Sequence, residues 1–485
     1  MPNIWLLAIF VTILGCCVGS FINVLIWRLP FLGHLTEFKG IKAPITLSWP
    51  PSHCPHCHRA VRWRENLPII SWLFLRGRCG GCREPISPRY PLVESGTGMI
   101  FLAIFAAYYM AHWFADSFSG MTRGGPTLIL DFFYIGALLA ASGVDADWFI
   151  IPLRLPWLVI VVAILSCAAG SQPMLPSFAA DSAASRFAVG GAAGLLISFI
   201  LLRAGILPRS FSRPADAPVT SIPPAAPDTA TATTAPIVSP PVMRSGPLIL
   251  VAAIVLLMQI PAWLLLSRQA AVLTLLVSGI IVFLLGILPR CAPAAGEGDL
   301  ASEVLDESAV PDARREILKE LMFVFPIIAL GTTAACTSLP LPASAAMDRL
   351  YGTLLGLVAG GGIVWFFRIF GTLLLGRVAM GLGDVHLMAA IGAVLGAPLA
   401  VITFFIAPFL ALIWVMVLKI MRRPNVLPFG PWLSVAGILA LLIGPPIQGW
   451  YARQLYPQPP RTHADSGQII WPGDGPPTHP PANRP

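Results

Sequence analysis

The chain has 485 residues, 56% of them hydrophobic and 11% charged, and its mean hydropathy is +0.77. Soluble domains carry about 25% charged residues, so this composition excludes an ordinary water-soluble domain and specifies a membrane protein. The net charge of +8 is unevenly spread, with ten Lys/Arg against four acids in residues 28–96; membrane orientation explains that excess without a nucleic-acid partner.

Apolar runs of spanning length follow one another along the chain. About twelve are present: 4–27, 97–113, 127–144, 155–170, 187–204, 247–267, 270–289, 321–338, 350–370, 385–399, 401–420 and 429–449. The expected fold is an all-α polytopic membrane protein. Nothing basic precedes the first run and Arg28 follows it, so it reads as a span and not as a signal peptide. The positive-inside rule then places the basic loop in the cytoplasm, with the lipid bilayer as the main surroundings of the rest. Alternation puts Arg422 and Arg423 inside and the C-terminal tail outside.

Five segments are expected. Residues 1–96 hold the first span and the basic loop, and 97–170 three more spans. A middle section, 171–346, contains a Pro/Ala/Thr-rich linker at 210–245 with eight prolines. The same section carries an acidic stretch, 297–320, ending in a short amphipathic helix from Arg314 to Glu320. Hydrophobic sequence returns over 347–449, and a Pro-rich tail closes the chain over 450–485. The pentamer Gly-Ile-Leu-Pro-Arg occurs at 205–209 and 286–290, either as a trace of duplication or as two helix ends.

The basic loop contains Cys54-Pro-His-Cys57 and, after 21 residues, Cys79-Gly-Gly-Cys82. Two Cys-x-x-Cys knuckles present four thiolates at the spacing of a structural, tetrahedral Zn(II) site. A reducing compartment argues against disulfides, and the thioredoxin-like context of a redox pair is absent. His53, His56 and His58 are expected beside the site and not as ligands. The other five cysteines lie in or beside apolar runs and read as small buried hydrophobes.

Carboxylates near membrane spans are functional candidates because burying them is costly. Asp145 and Asp147 end the 127–144 run. Asp384 starts the 385–399 run, in Gly381-Leu-Gly383-Asp384. Topology brings Asp145 and Asp384, 239 residues apart in sequence, to one membrane face. Two such carboxyls sharing a proton can hydrolyse a peptide bond, one activating water and the other polarising the carbonyl. The glycines would allow close backbone approach. Neither motif is specific alone, and interfacial helix-end charges are the competing reading.

Together these motifs resemble the type IV prepilin peptidase family, leader peptidases and N-methyltransferases of type IV pili and type II secretion. The resemblance is carried by Gly19-Ser-Phe-Ile-Asn23-Val with Arg28-Leu-Pro30, by the cysteine loop with Arg62-Trp-Arg-Glu-Asn66-Leu-Pro68, and by Arg89-Tyr-Pro-Leu-Val-Glu94. It continues through Val144-Asp145-Ala-Asp147, Met380-Gly-Leu-Gly-Asp384-Val-His386 and Leu427-Pro-Phe-Gly-Pro431-Trp, in that order. It implies an aspartic-type endopeptidase of the bacterial inner membrane, acting on prepilin or pseudopilin substrates at the cytoplasmic face. Asp145 and Asp384 would be the catalytic pair, supported by Gly381, Gly383, Asp147 and His386. The resemblance also implies methyl transfer from S-adenosylmethionine associated with the cysteine loop, with Asn23 and Glu94 as candidate residues.

The chain departs from that family in three ways. Leu153 and His386 stand where an acid and a lysine are usual, and 171–346 adds roughly four spans to about eight. An even number of added spans leaves both aspartates on one face. A transporter or a non-catalytic scaffold is the alternative; the first lacks visible matched halves, and the second is disfavoured because both aspartates are kept.

Overall fold

The computed structural model describes residues 4–33, 35–38, 41–109, 121–168, 179–208, 210, 253, 259, 267–287, 313–420, 428–455, 461–462 and 469–470. The chain is mostly helical. In order, the helices are α1 (Ile4–Arg28), α2 (Ile70–Phe74), α3 (Arg89–Tyr109), α4 (Met121–Trp148), α5 (Arg154–Ser166) and α6 (Ala183–Arg203). They continue with α7 (Arg268–Ile287), α8 (Ala313–Cys336), α9 (Ala345–Leu375), α10 (Leu382–Leu395), α11 (Ala397–Ile420) and α12 (Gly430–Leu455). Eight helices among the described residues are long and apolar enough to cross a membrane, and three further apolar helices are shorter. Eleven of the twelve expected runs fall on these helices; the run 247–267 lies almost entirely outside the described residues, as do the linker 210–245 (save Ser210) and most of the acidic stretch.

Local chemistry sets several boundaries. Ser182 and Ser344 cap α6 and α9, their hydroxyls accepting from the N–H groups of Ser185 and Met347. Gly376, with φ +71°, stops α9 in the left-handed conformation. Gly396, with φ +84°, separates α10 from α11, which divides the apolar stretch 385–420 close to the expected place. The amphipathic helix expected at 314–320 is continuous with the following apolar run: it forms the first turns of α8 and buries Ala313, Ile317 and Glu320 along one face. The glycines that open the repeated pentamer sit differently: Gly205 follows the end of α6 with φ +75°, whereas Gly286 lies inside α7.

One hydrophobic core runs through α1, α3, α4, α5, α7, α9, α10, α11 and α12. Close helix approach in membranes favours small residues, because lipid supplies no hydrophobic drive for association. The α9–α10 contact shows this: a Cβ on Gly356 would collide with the Gly392 carbonyl, and one on Gly392 with the Gly356 carbonyl. Helix α10, which begins with the Gly-Leu-Gly-Asp motif, is thereby fixed against α9. Between α1 and α3 lies the cysteine loop. It contains a two-stranded antiparallel hairpin, β1 (Leu35–Phe38) and β2 (Ile41–Pro44), paired Leu35 to Pro44 and Phe38 to Ile41.

Candidate active site and metal centre

Asp145 lies in the last turn of α4 and Asp384 in the first turn of α10; they are 6% and 7% exposed. Their carboxyls are within electrostatic reach of one another. Each is also held by a helix start. Gly381 is the N-cap of α10 and Asp384 its third helical residue, so the carboxyl reaches back to the Gly381 N–H, as in a capping box. Asp145 Oδ2 accepts a 2.8 Å hydrogen bond from the N–H of Gly430, the first residue of α12. The positive end of that helix dipole therefore faces a carboxylate. A Cβ at Gly430 would stand 2.7 Å from Asp145 Oδ2, so only glycine permits this approach. Gly383 is similarly constrained, its virtual Cβ falling 2.8 Å from Cβ of Ile151 in the loop after α4.

Asp147 is placed differently. Its Oδ2 forms a 2.5 Å ion pair with Nη1 of buried Arg89, the first residue of α3. That pair ties the start of α3 to the end of α4. His386 points elsewhere too: its Nδ1 donates to the Leu382 carbonyl at 2.9 Å, and its ring lies 5.9 Å from Trp157. The carbonyl can only accept, so Nδ1 carries a proton.

Sequence reasoning missed three buried charged residues, two acids and an arginine. Glu320 of α8 is 4% exposed and pairs with Arg368 of α9, 5% exposed, at 2.9 Å. Arg368 also donates to the Met380 carbonyl. Asp131, in the middle of α4, accepts from Tyr108 at 2.5 Å. The signal for all three was a charge inside or at the end of an apolar run, which hydropathy averages away.

The four cysteines converge: their sulfurs all lie within 4.8 Å of one another, and no histidine or carboxylate among the described residues joins the cluster. Cys54 Sγ is 3.7 Å from Cys82 and Cys57 Sγ is 4.0 Å from Cys79. Tetrahedral Zn–S bonds of about 2.3 Å require sulfurs about 3.8 Å apart, so the four thiols fit one such ion. The knuckles share one backbone design. In the first, Cys54 N donates to Arg59 O and His58 N to Cys54 O; in the second, Cys79 N donates to Glu84 O and Arg83 N to Cys79 O. Each turn closes on a left-handed residue, His58 at φ +51° and Arg83 at φ +64°. Backbone N–H groups of Cys82 and Gly81 pull the Cys79 thiol down to about 7, favouring the thiolate that a metal requires. A backbone hydrogen bond at Glu84 opposes it, but desolvation and the neighbouring thiols push Cys82 up to about 12. His56 lies 3.7 Å from Glu84 and His53 Nδ1 2.8 Å from the Pro51 carbonyl.

Asn23 and Glu94 sit where α1 crosses α3. Asn23 Nδ2 lies 3.4 Å from the Tyr90 carbonyl, and its buried Oδ1 has no protein partner. Glu94 Oε2 accepts at 2.6 Å from the N–H of Ile69, a residue with φ +61°. For a β-branched residue that conformation is a strained outlier, and Glu94 holds it in place.

The site therefore defines a class: a polytopic membrane protein with two buried aspartates held by helix starts and a four-cysteine loop that could hold a metal ion. Residues 13–108 match the bacterial peptidase A24 N-terminal domain, and residues 308–416 match the type IV leader peptidase family. Both stretches are similar to that family, and together they cover less than half of the chain. The chain is 42% identical over 111 residues to the type 4 prepilin-like proteins leader peptide-processing enzyme of Escherichia coli O78:H11, covering 22% of this chain and 41% of the relative. It is 45% identical over 112 residues to the prepilin leader peptidase/N-methyltransferase of Dickeya chrysanthemi, covering 21% and 39%. For the enzyme of that name from Klebsiella pneumoniae the figures are 36% over 151 residues, 31% and 57%. The chain thus spans roughly half or less of the lengths of these relatives. No solved structure matches it. The names of these relatives describe leader-peptide processing, and none describes a transporter or a scaffold.

Proposed function

We propose that this chain is a membrane aspartyl endopeptidase that removes leader peptides from prepilin-like or pseudopilin substrates. One observation carries the reading: Asp145 and Asp384, far apart in sequence, are brought together as two buried carboxyls at adjoining helix ends. Such a pair holds one proton between them. The ionised member takes a proton from water, whose oxygen attacks the scissile carbonyl carbon. The protonated member donates to the carbonyl oxygen. Gly381 and Gly430 orient the two carboxyls through backbone N–H groups, and Gly383 lets α10 seat against the loop after α4. Asp147 serves structure through Arg89, and His386 packs on the rim.

The four cysteines would hold Zn(II) as a closed structural site, stapling the loop. Methyl transfer from S-adenosylmethionine to the new amino terminus is the second proposed activity. Asn23 and Glu94 are its candidate residues, supported by the unpartnered Asn23 oxygen and the strained turn on Glu94. The basic excess of residues 28–96 supports a topology of about twelve spans in which the cysteine loop and both aspartates would lie on the cytoplasmic side of the bacterial inner membrane. The segments divide at 96, 170, 346 and 449, with the middle section inserted between the aspartate motifs. The family match over residues 308–416 overlaps the end of that middle section.

The test is cleavage of a prepilin from the same organism in membranes, comparing the native chain with Asp145→Ala and Asp384→Ala at equal expression. Loss in both variants is expected; cleavage surviving in either one sinks the assignment.

A further inference from the structure

We infer that Arg368 and Glu320 form a positioning relay that sets the Asp384 carboxyl through the Met380–Gly381 peptide; this rests on the peptidase reading of the site. A peptide group is planar and rigid, so the carbonyl of residue 380 and the N–H of residue 381 turn as one body. In this chain the carbonyl of that unit accepts from Arg368 Nη1, while its N–H interacts with the Asp384 carboxyl. Whatever fixes the guanidinium therefore fixes the amide that faces the aspartate.

The guanidinium is itself fixed. Arg368 Nε lies 3.1 Å from both Glu320 oxygens and Nη2 lies 2.9 Å from Oε1. Glu320 is held in turn by Trp365 Nε1 at 2.6 Å and by the Ser210 hydroxyl at 3.1 Å. Planar two-pronged pairing of this kind restricts orientation as well as distance. A third tie secures the same loop: Ala379 N donates to the Thr372 hydroxyl at 3.1 Å, one turn from Arg368 on α9. The loop 376–381 is thereby laced to α9 at two points.

The chemistry also explains the cost of burying the pair. A buried ion pair seldom adds net stability over an apolar replacement, so its retention calls for another benefit. Orientation of one peptide beside a reacting carboxyl supplies it. Glu320 belongs to α8, on the far side of the long middle section. The relay thus lets α8 act on Asp384 without touching substrate.

The variants are Arg368→Ala, Arg368→Lys and Glu320→Gln, each in the full chain in nanodiscs, with Gly362→Ala as control, since a Cβ there meets nothing within 4 Å. Two readouts separate the relay from the activity. Hydrogen exchange of the segment 376–384 is expected to quicken in Arg368→Ala while α1, α3 and α4 keep their protection. Cleavage of a prepilin is expected to lose about tenfold or more in kcat with KM within about twofold, as misplacement of a reacting group predicts. Arg368→Lys should recover part of the rate and Glu320→Gln should fall between it and Arg368→Ala. Unchanged exchange at 376–384, or exchange raised equally in all helices, overturns the relay. If the native chain cleaves no prepilin, the peptidase reading fails, and the exchange data still decide whether Arg368 orders the loop.

Discussion

Replacing Gly430 by alanine places a methyl group 2.7 Å from Asp145 Oδ2, well inside contact distance. Either the carboxyl or the start of α12 must retreat, and the 2.8 Å hydrogen bond from the Gly430 N–H is lost or lengthened. A hydrogen bond to a charged group is worth about 1.5–3 kcal/mol. At about 1.4 kcal/mol per factor of ten, cleavage should slow about 10- to 100-fold. The assay is the initial rate of prepilin cleavage in membranes, at equal protein level, against the Gly362→Ala control. A rate within about twofold of native, with Asp145 still essential, would refute the claim that the α12 helix start positions this carboxyl.

Other outcomes follow from the same geometry. Asp147→Ala leaves Arg89 buried beside no carboxylate, which costs about 3–5 kcal/mol; thermal unfolding in detergent should show it. Arg89→Met combined with Asp147→Leu should recover most of that loss, and a double variant no more stable than the single ones would argue against the pair as a structural tie. Metal analysis of the purified chain should find one ion per molecule, lost in the Cys54→Ser, Cys79→Ser double variant. Because the closed site leaves no position for substrate, that variant should expose the loop to protease while cutting prepilin far better than either aspartate variant.

Much of the site was legible because its chemistry is local in sequence. Cys54, Cys57, Cys79 and Cys82 announce themselves by spacing, and each knuckle closes on its own backbone. Asp145 and Asp384 were legible from their place at the ends of apolar runs. Their partners were not. Gly430 reaches Asp145 across 285 residues and Arg368 reaches Glu320 across 48, and pairing between helices leaves no periodic trace. Glu320 was hidden further by its setting: in sequence it closes an acidic stretch, and only the continuity of α8 carries it into the membrane domain. Asp131 and Arg368 vanish inside apolar runs, where one charge hardly lowers an average. Asp147 shows the converse: two residues from Asp145 in sequence, it belongs to a separate ion pair because the helix turns it about 200° away.

The shortness of α5 and α10 bears on how the protein sits in lipid. With 13 and 14 residues, they reach about 20 Å, against about 30 Å of hydrocarbon. They pack against each other, and Leu158, Val161 and Leu165 of α5 are exposed on the outside. Hydrophobic mismatch is thus concentrated on one flank, the flank that carries Asp384. Local thinning is one way a bilayer accommodates such a flank, and it would draw headgroups and water inward toward the buried carboxyls. Acyl-chain length then becomes a variable of the site, since thicker membranes must deform further to let water reach Asp384.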